Sequence, residues 1–122
     1  MNWVLDACAM IAFLRGESGA EVVRDILRNP ADVCSAHAIN LCEVYYDFIR
    51  FANERTARSA INDLRAVGIR TRRDMGVAFW TGVGSLKGEI RRVSLADCFA
   101  IECRGDWARP SRQATITSLT RS

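Results

Sequence analysis

Short apolar runs alternate with longer segments of helical periodicity along this chain, and this alternation is the feature that most constrains its fold. The runs that read as strands are residues 3–5, 33–35 and 69–71. Between them, residues 18–28 and 38–51 place apolar side chains at helical spacing. Strands separated by helices pair in parallel, in a sheet that is covered on both faces. The sequence therefore predicts an α/β fold, a three-layer α/β/α domain with a central parallel sheet.

Capping residues mark the other predicted helices. The helix after the first strand breaks at Gly16, because glycine suits the residue that ends a helix. Asn53 and Ser94 have side chains that cap helix N-termini, and each precedes a segment of helical periodicity. A further helix is predicted over residues 74–87.

Length and composition indicate one soluble globular domain. The chain has 122 residues, of which 49% are hydrophobic and 25% charged. No apolar run is long enough to cross a bilayer, and Asp6 interrupts the segment where a signal peptide would be apolar. Five cysteines without a Cys-x-x-Cys pair are typical of buried, reduced thiols. We therefore expect a cytoplasmic protein that has no membrane association.

The net charge of +3 does not by itself identify a partner. Residues 106–122 carry +2 of this total, so the preceding body of the chain is close to neutral. Charge of this size and distribution does not indicate RNA or DNA binding.

Three acidic residues stand inside apolar segments: Asp6, Glu43 and Asp97. An unpaired charge in such surroundings is costly, so each carboxylate needs a partner, water or a cation. Asp6 also falls at the carboxyl end of the first predicted strand, where open parallel sheets bind their ligands. Taken together, the three segments favour a metal site.

Each carboxylate also has a simpler interpretation. Asp6 has the position of a helix N-cap, and Asp97 is placed to complement a helix dipole. Glu43 shares one helix face with Asn40 and Asp47, and such a face is also compatible with a solvated polar stripe. These interpretations stay open for each residue taken alone.

The segments around these carboxylates resemble those of the PIN domain family, specifically the small bacterial VapC-type toxins. The resemblance is carried by residues 4–14, 39–44 and 94–101, and it covers most of residues 3–103. It implies a metal-dependent endoribonuclease toxin of a type II toxin–antitoxin system, which hydrolyses RNA phosphodiester bonds. It also implies a homodimer that a cognate antitoxin protein holds inactive.

Carried over by position, the resemblance assigns Asp6, Glu43 and Asp97 as catalytic residues that hold Mg²⁺ or Mn²⁺. Carboxylate oxygens suit such hard cations, which activate water and offset phosphodiester charge. Asn40 is expected to orient a metal ligand or the substrate. His37 stands at a helix start, so we expect it to form local hydrogen bonds rather than to act as a catalyst.

The end of the chain departs from the family pattern. VapC-like chains normally continue into a last buried strand and a fourth acidic position, whereas residues 106–122 contain Pro110 flanked by arginines. Proline does not donate to a strand ladder, and charges do not suit a sheet covered on both faces. We therefore predict a PIN-like domain over residues 1–105, followed by an atypical tail over residues 106–122 that replaces the last strand and the fourth acidic segment. Asp106 is not expected to replace the missing carboxylate.

A frameshift would account for this tail. Codons can be chosen for residues 106–119 such that the frame one base earlier encodes Gly-Leu-Gly-Ala-Thr-Leu-Ala-Thr-Ser-Asp-His-His-Glu-Phe, which resembles the family ending. Our hypothesis is a frameshifted tail from about residue 105 onward, natural or due to a sequencing error, and the nucleotide sequence of the gene tests it.

Two alternatives to an active ribonuclease follow. The first is a catalytically impaired PIN-domain relic that only binds antitoxin, and the second is a DNA-directed nuclease of the same family. The predicted helices over residues 18–28 and 54–66 carry apolar faces beside arginines, which indicate either core packing or an antitoxin groove, with core the better interpretation.

Overall fold

The computed structural model describes residues 1–104 and the backbone of residues 113–116, and it places helices around a parallel sheet. The strands are β1 (Asn2–Leu5), β2 (Val33–His37), β3 (Arg70–Arg72) and β4 (Gln113–Ile116). The helices are α1 (Ala7–Arg15), α2 (Ala20–Arg28), α3 (Ala38–Phe51), α4 (Glu54–Ala66), α5 (Val77–Glu89) and α6 (Leu95–Cys103). The described strands form one sheet in the order β3-β2-β1-β4, and every pairing is parallel. None of the described helices is both long and apolar enough to cross a membrane.

Val4 and Leu5 of β1 show which helices cover each face of the sheet, because successive side chains of a strand point to opposite faces. Leu5 is fully buried in the larger core, which includes side chains from α1, α2, α3 and α4. Val4 is fully buried on the opposite face, against Ala100 and Cys103 of α6 and Phe79 of α5. The predicted α/β/α architecture is therefore confirmed.

The predicted caps are present. Asn53 Oδ1 accepts a hydrogen bond from the Thr56 backbone N–H at 2.8 Å and begins α4. Ser94 Oγ accepts from the Asp97 backbone N–H at 3.1 Å and begins α6. Gly16 has a left-handed φ of 65° and ends α1. Because each cap depends on residues close in sequence, these helix ends could be predicted without the fold.

The start of α5 was predicted three residues too early. Asp74 lies in the loop before the helix, where its carboxylate accepts two hydrogen bonds from the Arg72 guanidinium, at 2.8 and 2.9 Å. The Asp74 carbonyl also accepts a hydrogen bond from the His37 ring at 2.8 Å. These contacts tie the loop to the ends of β2 and β3, and Gly76 then becomes the cap of α5.

The expectation that the tail lacks the last strand is wrong. Strand β4 pairs in parallel with all of β1, from Asn2 with Gln113 to Leu5 with Ile116. The expectation relied on Pro110, which precedes this strand and lies outside the described residues, as does Asp106. The strand itself contains no proline, and it ends in two β-branched residues, which favour strands. The domain division after residue 105 and the frameshift stay predictions.

All five cysteines lie within the described residues, and none of them forms a disulfide. Cys34, Cys98 and Cys103 are buried as expected, whereas Cys8 and Cys42 are exposed. Burial raises the pKa of Cys34 to about 11 and that of Cys103 to about 12. These two thiols therefore stay protonated at neutral pH and serve as small core residues.

Candidate functional site

Asp6 is fully buried and directly follows β1, at the carboxyl edge of the sheet. Its Oδ1 accepts a hydrogen bond from the Ala9 backbone N–H at 2.8 Å, so Asp6 caps α1. The capping interpretation is therefore confirmed. A carboxylate offers about four acceptor positions, so this bond leaves a second role at the same edge chemically possible.

Asn40 joins the first turn of α3 to the first turn of α6. Its side chain is fully buried, and Nδ2 donates a hydrogen bond to the Ala96 backbone carbonyl at 3.0 Å. Because a carbonyl only accepts, this bond fixes which end of the Asn40 amide faces α6. The other end, Oδ1, is buried and has no hydrogen-bond partner among the residues that the structure describes. An orphaned buried acceptor is costly, and it indicates a place for a water, a cation or a substrate donor.

Glu43 and Asp97 come from remote parts of the sequence, and their carboxylates lie within electrostatic range of each other beside Asn40. Glu43 lies one turn further along α3, and Asp97 directly follows Ala96 on α6. Asp97 is only 9% exposed, whereas the Glu43 side chain reaches solvent. Partial burial of its carboxyl group and the negative charge of Asp97 raise the pKa of Glu43, and hydrogen bonding to Asn40 opposes the rise. Two carboxylates that repel each other in this way favour a proton or a cation between them.

The donor chemistry at this edge fits a hard divalent cation. Asp6, Glu43 and Asp97 supply carboxylate oxygens, and Asn40 supplies an orphaned amide oxygen, all of which suit Mg²⁺ or Mn²⁺. The side chains do not form a closed ligand set, because within the described ranges no three His, Cys, Asp or Glu residues lie close enough to hold a metal. The structure thus brings Glu43, Asn40 and Asp97 together, with Asp6 at the same sheet edge.

Asp47 has a structural role, although it shares the helical spacing of Asn40 and Glu43. Its Oδ2 accepts a hydrogen bond from Arg15 at 2.7 Å, in an ion pair between α1 and α3. The Arg15 guanidinium also lies 4.4 Å from the centre of the Phe51 ring. Asp47 therefore stabilises the packing of two helices and is not part of the candidate site.

His37 forms one local hydrogen bond, as expected, and a second one to a distant part of the chain. It is buried at the end of β2, where Nδ1 accepts from the Ile39 backbone N–H at 3.1 Å and caps α3. With Nδ1 accepting, Nε2 carries the proton and donates to the Asp74 carbonyl. The ring thus fixes the beginning of the helix that presents Asn40 and Glu43.

Sequence reasoning missed a basic group beside the start of α6. Lys87 at the end of α5 donates to the backbone carbonyls of Arg91 and Val93, and the exposed side chains of Arg91 and Arg92 flank this contact. The sequence does contain a signal for this group, which is the pair Arg91 and Arg92 directly before the segment that carries Asp97. The near-neutral charge of the chain body concealed it, because net charge does not report local clustering.

Comparison with known proteins finds similarity in structure. No protein-family model matches the sequence, and no curated protein sequence does. VapBC-1 from nontypeable Haemophilus influenzae superposes with a TM-score of 0.67 at 18% identity, over 99% of this chain and 89% of that one. VapC20 from Mycobacterium tuberculosis, described as a toxin that cleaves the sarcin-ricin loop, gives a TM-score of 0.67 at 14% identity, over 98% and 93%.

A third solved structure agrees with these two. VapBC2 from Rickettsia felis, bound to a DNA fragment from its promoter, gives a TM-score of 0.60 at 15% identity, over 82% of this chain and 77% of that one. At such identities, what is shared is the arrangement of strands and helices. The chain therefore has the PIN-like α/β/α fold of the VapC toxins.

Proposed function

We propose that this protein is an endoribonuclease toxin of a type II toxin–antitoxin system and that it hydrolyses RNA phosphodiester bonds with a bound Mg²⁺ or Mn²⁺. The observation that carries the proposal is the electrostatic interaction of Glu43 with Asp97 beside Asn40, whose Oδ1 has no hydrogen-bond partner among the described residues. These three residues come from two helices on opposite sides of the sheet, and Asp6 lies at the edge between them. The fold shared with VapC toxins supports the same function.

In this proposal Asp6, Glu43 and Asp97 are the catalytic residues that hold the cation. A divalent cation held by these residues would lower the pKa of a bound water and offset negative charge on a phosphodiester. Asn40 holds the start of α6 in place through Ala96, and its Oδ1, which has no partner in the described part of the chain, would accept a hydrogen bond from water or substrate. No histidine performs proton transfer, because the ring nitrogens of His37 are committed to capping α3 and binding the Asp74 carbonyl.

The proposed partners are RNA, a cognate antitoxin protein and a second copy of this chain. Two of the similar structures are VapBC assemblies, and the VapC20 toxin is described as cleaving the sarcin-ricin loop. An RNA substrate places the activity in the cytoplasm. The apolar faces of α2 and α4 are largely used for packing, since Val23, Ile26 and Leu64 are buried, so they offer little free surface for an antitoxin.

Cleavage of structured RNAs in the presence of Mg²⁺ or Mn²⁺ tests this function. Asp97→Asn should abolish cleavage, because it removes one of the two interacting charges. Asp63→Asn is the matched control, since Asp63 is exposed on α4 and the change in charge is the same. Equal activity of the Asp97→Asn and control variants would contradict the proposal, as would cleavage in excess chelator.

A relic that only binds antitoxin is the second candidate. It is favoured by the lack, among the described residues, of three acidic, cysteine or histidine groups close enough to hold a metal. This candidate predicts that the chain binds an antitoxin and does not cleave RNA. Cleavage that appears only when residues 105–122 are replaced by the alternative-frame ending would establish it. A DNA-directed nuclease would instead cleave DNA in preference to the RNA panel.

A further inference from the structure

We propose that the loop between α5 and α6, residues 90–94, binds phosphate groups of the RNA strand next to the candidate site. We call this segment the basic loop, and its phosphate-binding side chains are those of Arg91 and Arg92. The inference rests on the proposed ribonuclease function, since it assigns the residues that hold the substrate of that reaction.

The basic loop lies close in sequence to Asp97 of the candidate site. It leads directly into α6, whose first turn contains both Ala96, the partner of Asn40, and Asp97. Ile90 and Val93 of the loop pack in one apolar cluster with Cys98, the residue that follows Asp97. The loop that Lys87 supports is therefore packed against the first turn of α6.

The backbone of the basic loop is held in place without the two arginine side chains. Lys87 Nζ donates hydrogen bonds to the Arg91 carbonyl at 2.5 Å and to the Val93 carbonyl at 2.8 Å. One ammonium group thus closes the loop against the end of α5. A loop that is ordered before binding loses less entropy when it contacts a ligand.

The side chains of Arg91 and Arg92 are available for a partner. Both are exposed, and in the described part of the chain neither side chain forms a hydrogen bond or an ion pair. Together with Glu89 and Ile90 they line an open depression of about 510 Å³. By contrast, Arg15 and Arg72 bind carboxylates within the fold. Two free guanidinium groups on a fixed loop match the geometry and charge of phosphate oxygens.

The negative charge of the candidate site requires cationic side chains nearby if RNA is to bind. Glu43 and Asp97 present negative charge where a polyanionic strand must approach, so the strand requires cations close to the carboxylates. A bound divalent ion offsets charge at the reacting phosphate, and flanking phosphates need their own partners. The basic loop supplies two of them at the entrance to α6.

Fluorescence anisotropy measures the binding of a labelled oligouridylate over a range of salt concentrations. Excess chelator is present, so the experiment tests the basic loop separately from cleavage. The double variant Arg91→Ala/Arg92→Ala should lower the slope of log affinity against log salt by about 1.4, because each phosphate contact to a single strand contributes about 0.7. Its affinity at low salt should fall about tenfold. Arg91→Lys/Arg92→Lys should retain most of the slope, since lysine keeps the charge.

Arg28→Ala/Arg65→Ala is the matched control. Both arginines are exposed at the ends of α2 and α4, next to the amino ends of β2 and β3, and the change in net charge is the same. An unchanged slope in this control supports the assignment. The assignment would be overturned by an equal loss of slope in the two double variants or by no loss in either. It would also be overturned if the unaltered protein did not bind oligouridylate. An equal effect on oligothymidylate supports phosphate contact, whereas an effect on oligothymidylate alone would overturn the proposal.

The two proposals fail in different ways. Oligouridylate binding that depends on Arg91 and Arg92, without any metal-dependent cleavage, would contradict the ribonuclease function and leave the phosphate site standing. Cleavage by the unaltered protein, with binding that is insensitive to both arginines, would contradict only the basic loop.

Discussion

At the scale of single residues, Asp6 combines a capping role with a proposed metal-binding role. The Asp6→Asn variant keeps an oxygen that accepts from the Ala9 backbone N–H, whereas Asp6→Ala removes it. We expect Asp6→Ala to lose about 1 kcal/mol of stability and Asp6→Asn to lose less. Both variants should lose RNA cleavage. Thermal unfolding and cleavage assays check the two roles, and an Asp6→Asn variant that cleaves at the normal rate would contradict metal binding.

Glu43 gives a pH-dependent prediction. Its pKa is raised above the ordinary value of 4.5 by burial and by Asp97, so folding favours the protonated form. The folded state therefore loses stability as the pH rises from 4.5 through the raised pKa. Glu43→Gln should stabilise the metal-free protein at neutral pH by about 0.5 kcal/mol, a small gain because the side chain is exposed.

The gain from Glu43→Gln should vanish below pH 4.5, where both the folded and the unfolded carboxyl are protonated. Chemical denaturation at several pH values measures the difference between the variant and the unaltered protein. A gain that is constant across this pH range would show that charge repulsion with Asp97 is not its cause. Glu54→Gln, an exposed change on α4, is the control.

At the scale of helices, two glycines of α5 provide a matched pair. Among the described residues, a Cβ atom added at Gly84 has no neighbour within 4 Å, whereas one added at Gly82 meets the carboxyl group of Glu102 on α6. Gly84→Ala should therefore stabilise the protein by about 1 kcal/mol through helix propensity. Gly82→Ala should gain clearly less, because it displaces Glu102. Denaturation curves check this, and an equal gain at both positions would contradict the close packing of α5 on α6.

Helix ends and the sheet pattern are the features that local sequence predicts well. The bounds of α3 and the caps at Asn53 and Ser94 depend on neighbouring residues, and they agree with the structure. The start of α5 and the contact of Asn40 with Ala96 depend on residues far apart in sequence. Such contacts follow from the packing of the whole chain, so no local pattern specifies them.

At the scale of the whole molecule, β4 decides whether β1 is a central or an edge strand. β4 covers β1 on the side opposite β2, although the sequence had suggested that this strand was lost. A chain that ends at residue 104 would expose the backbone donors and acceptors of β1, which favours aggregation. We expect this truncation to unfold at lower temperature and to aggregate, whereas a chain that ends at residue 116 should behave like the full protein. Light scattering during thermal unfolding compares the two, and equal behaviour would contradict a stabilising role for β4.

Calorimetry of Mn²⁺ binding is the most direct test of the account, because it measures metal binding at the proposed site without a substrate. We predict that the full chain binds Mn²⁺, that Asp97→Asn and Asp6→Asn each weaken binding at least about tenfold through the loss of a charged ligand, and that Asp63→Asn binds normally. Binding that is equal in all four proteins, or absent in the full chain, would contradict a metal site built from Asp6, Glu43 and Asp97.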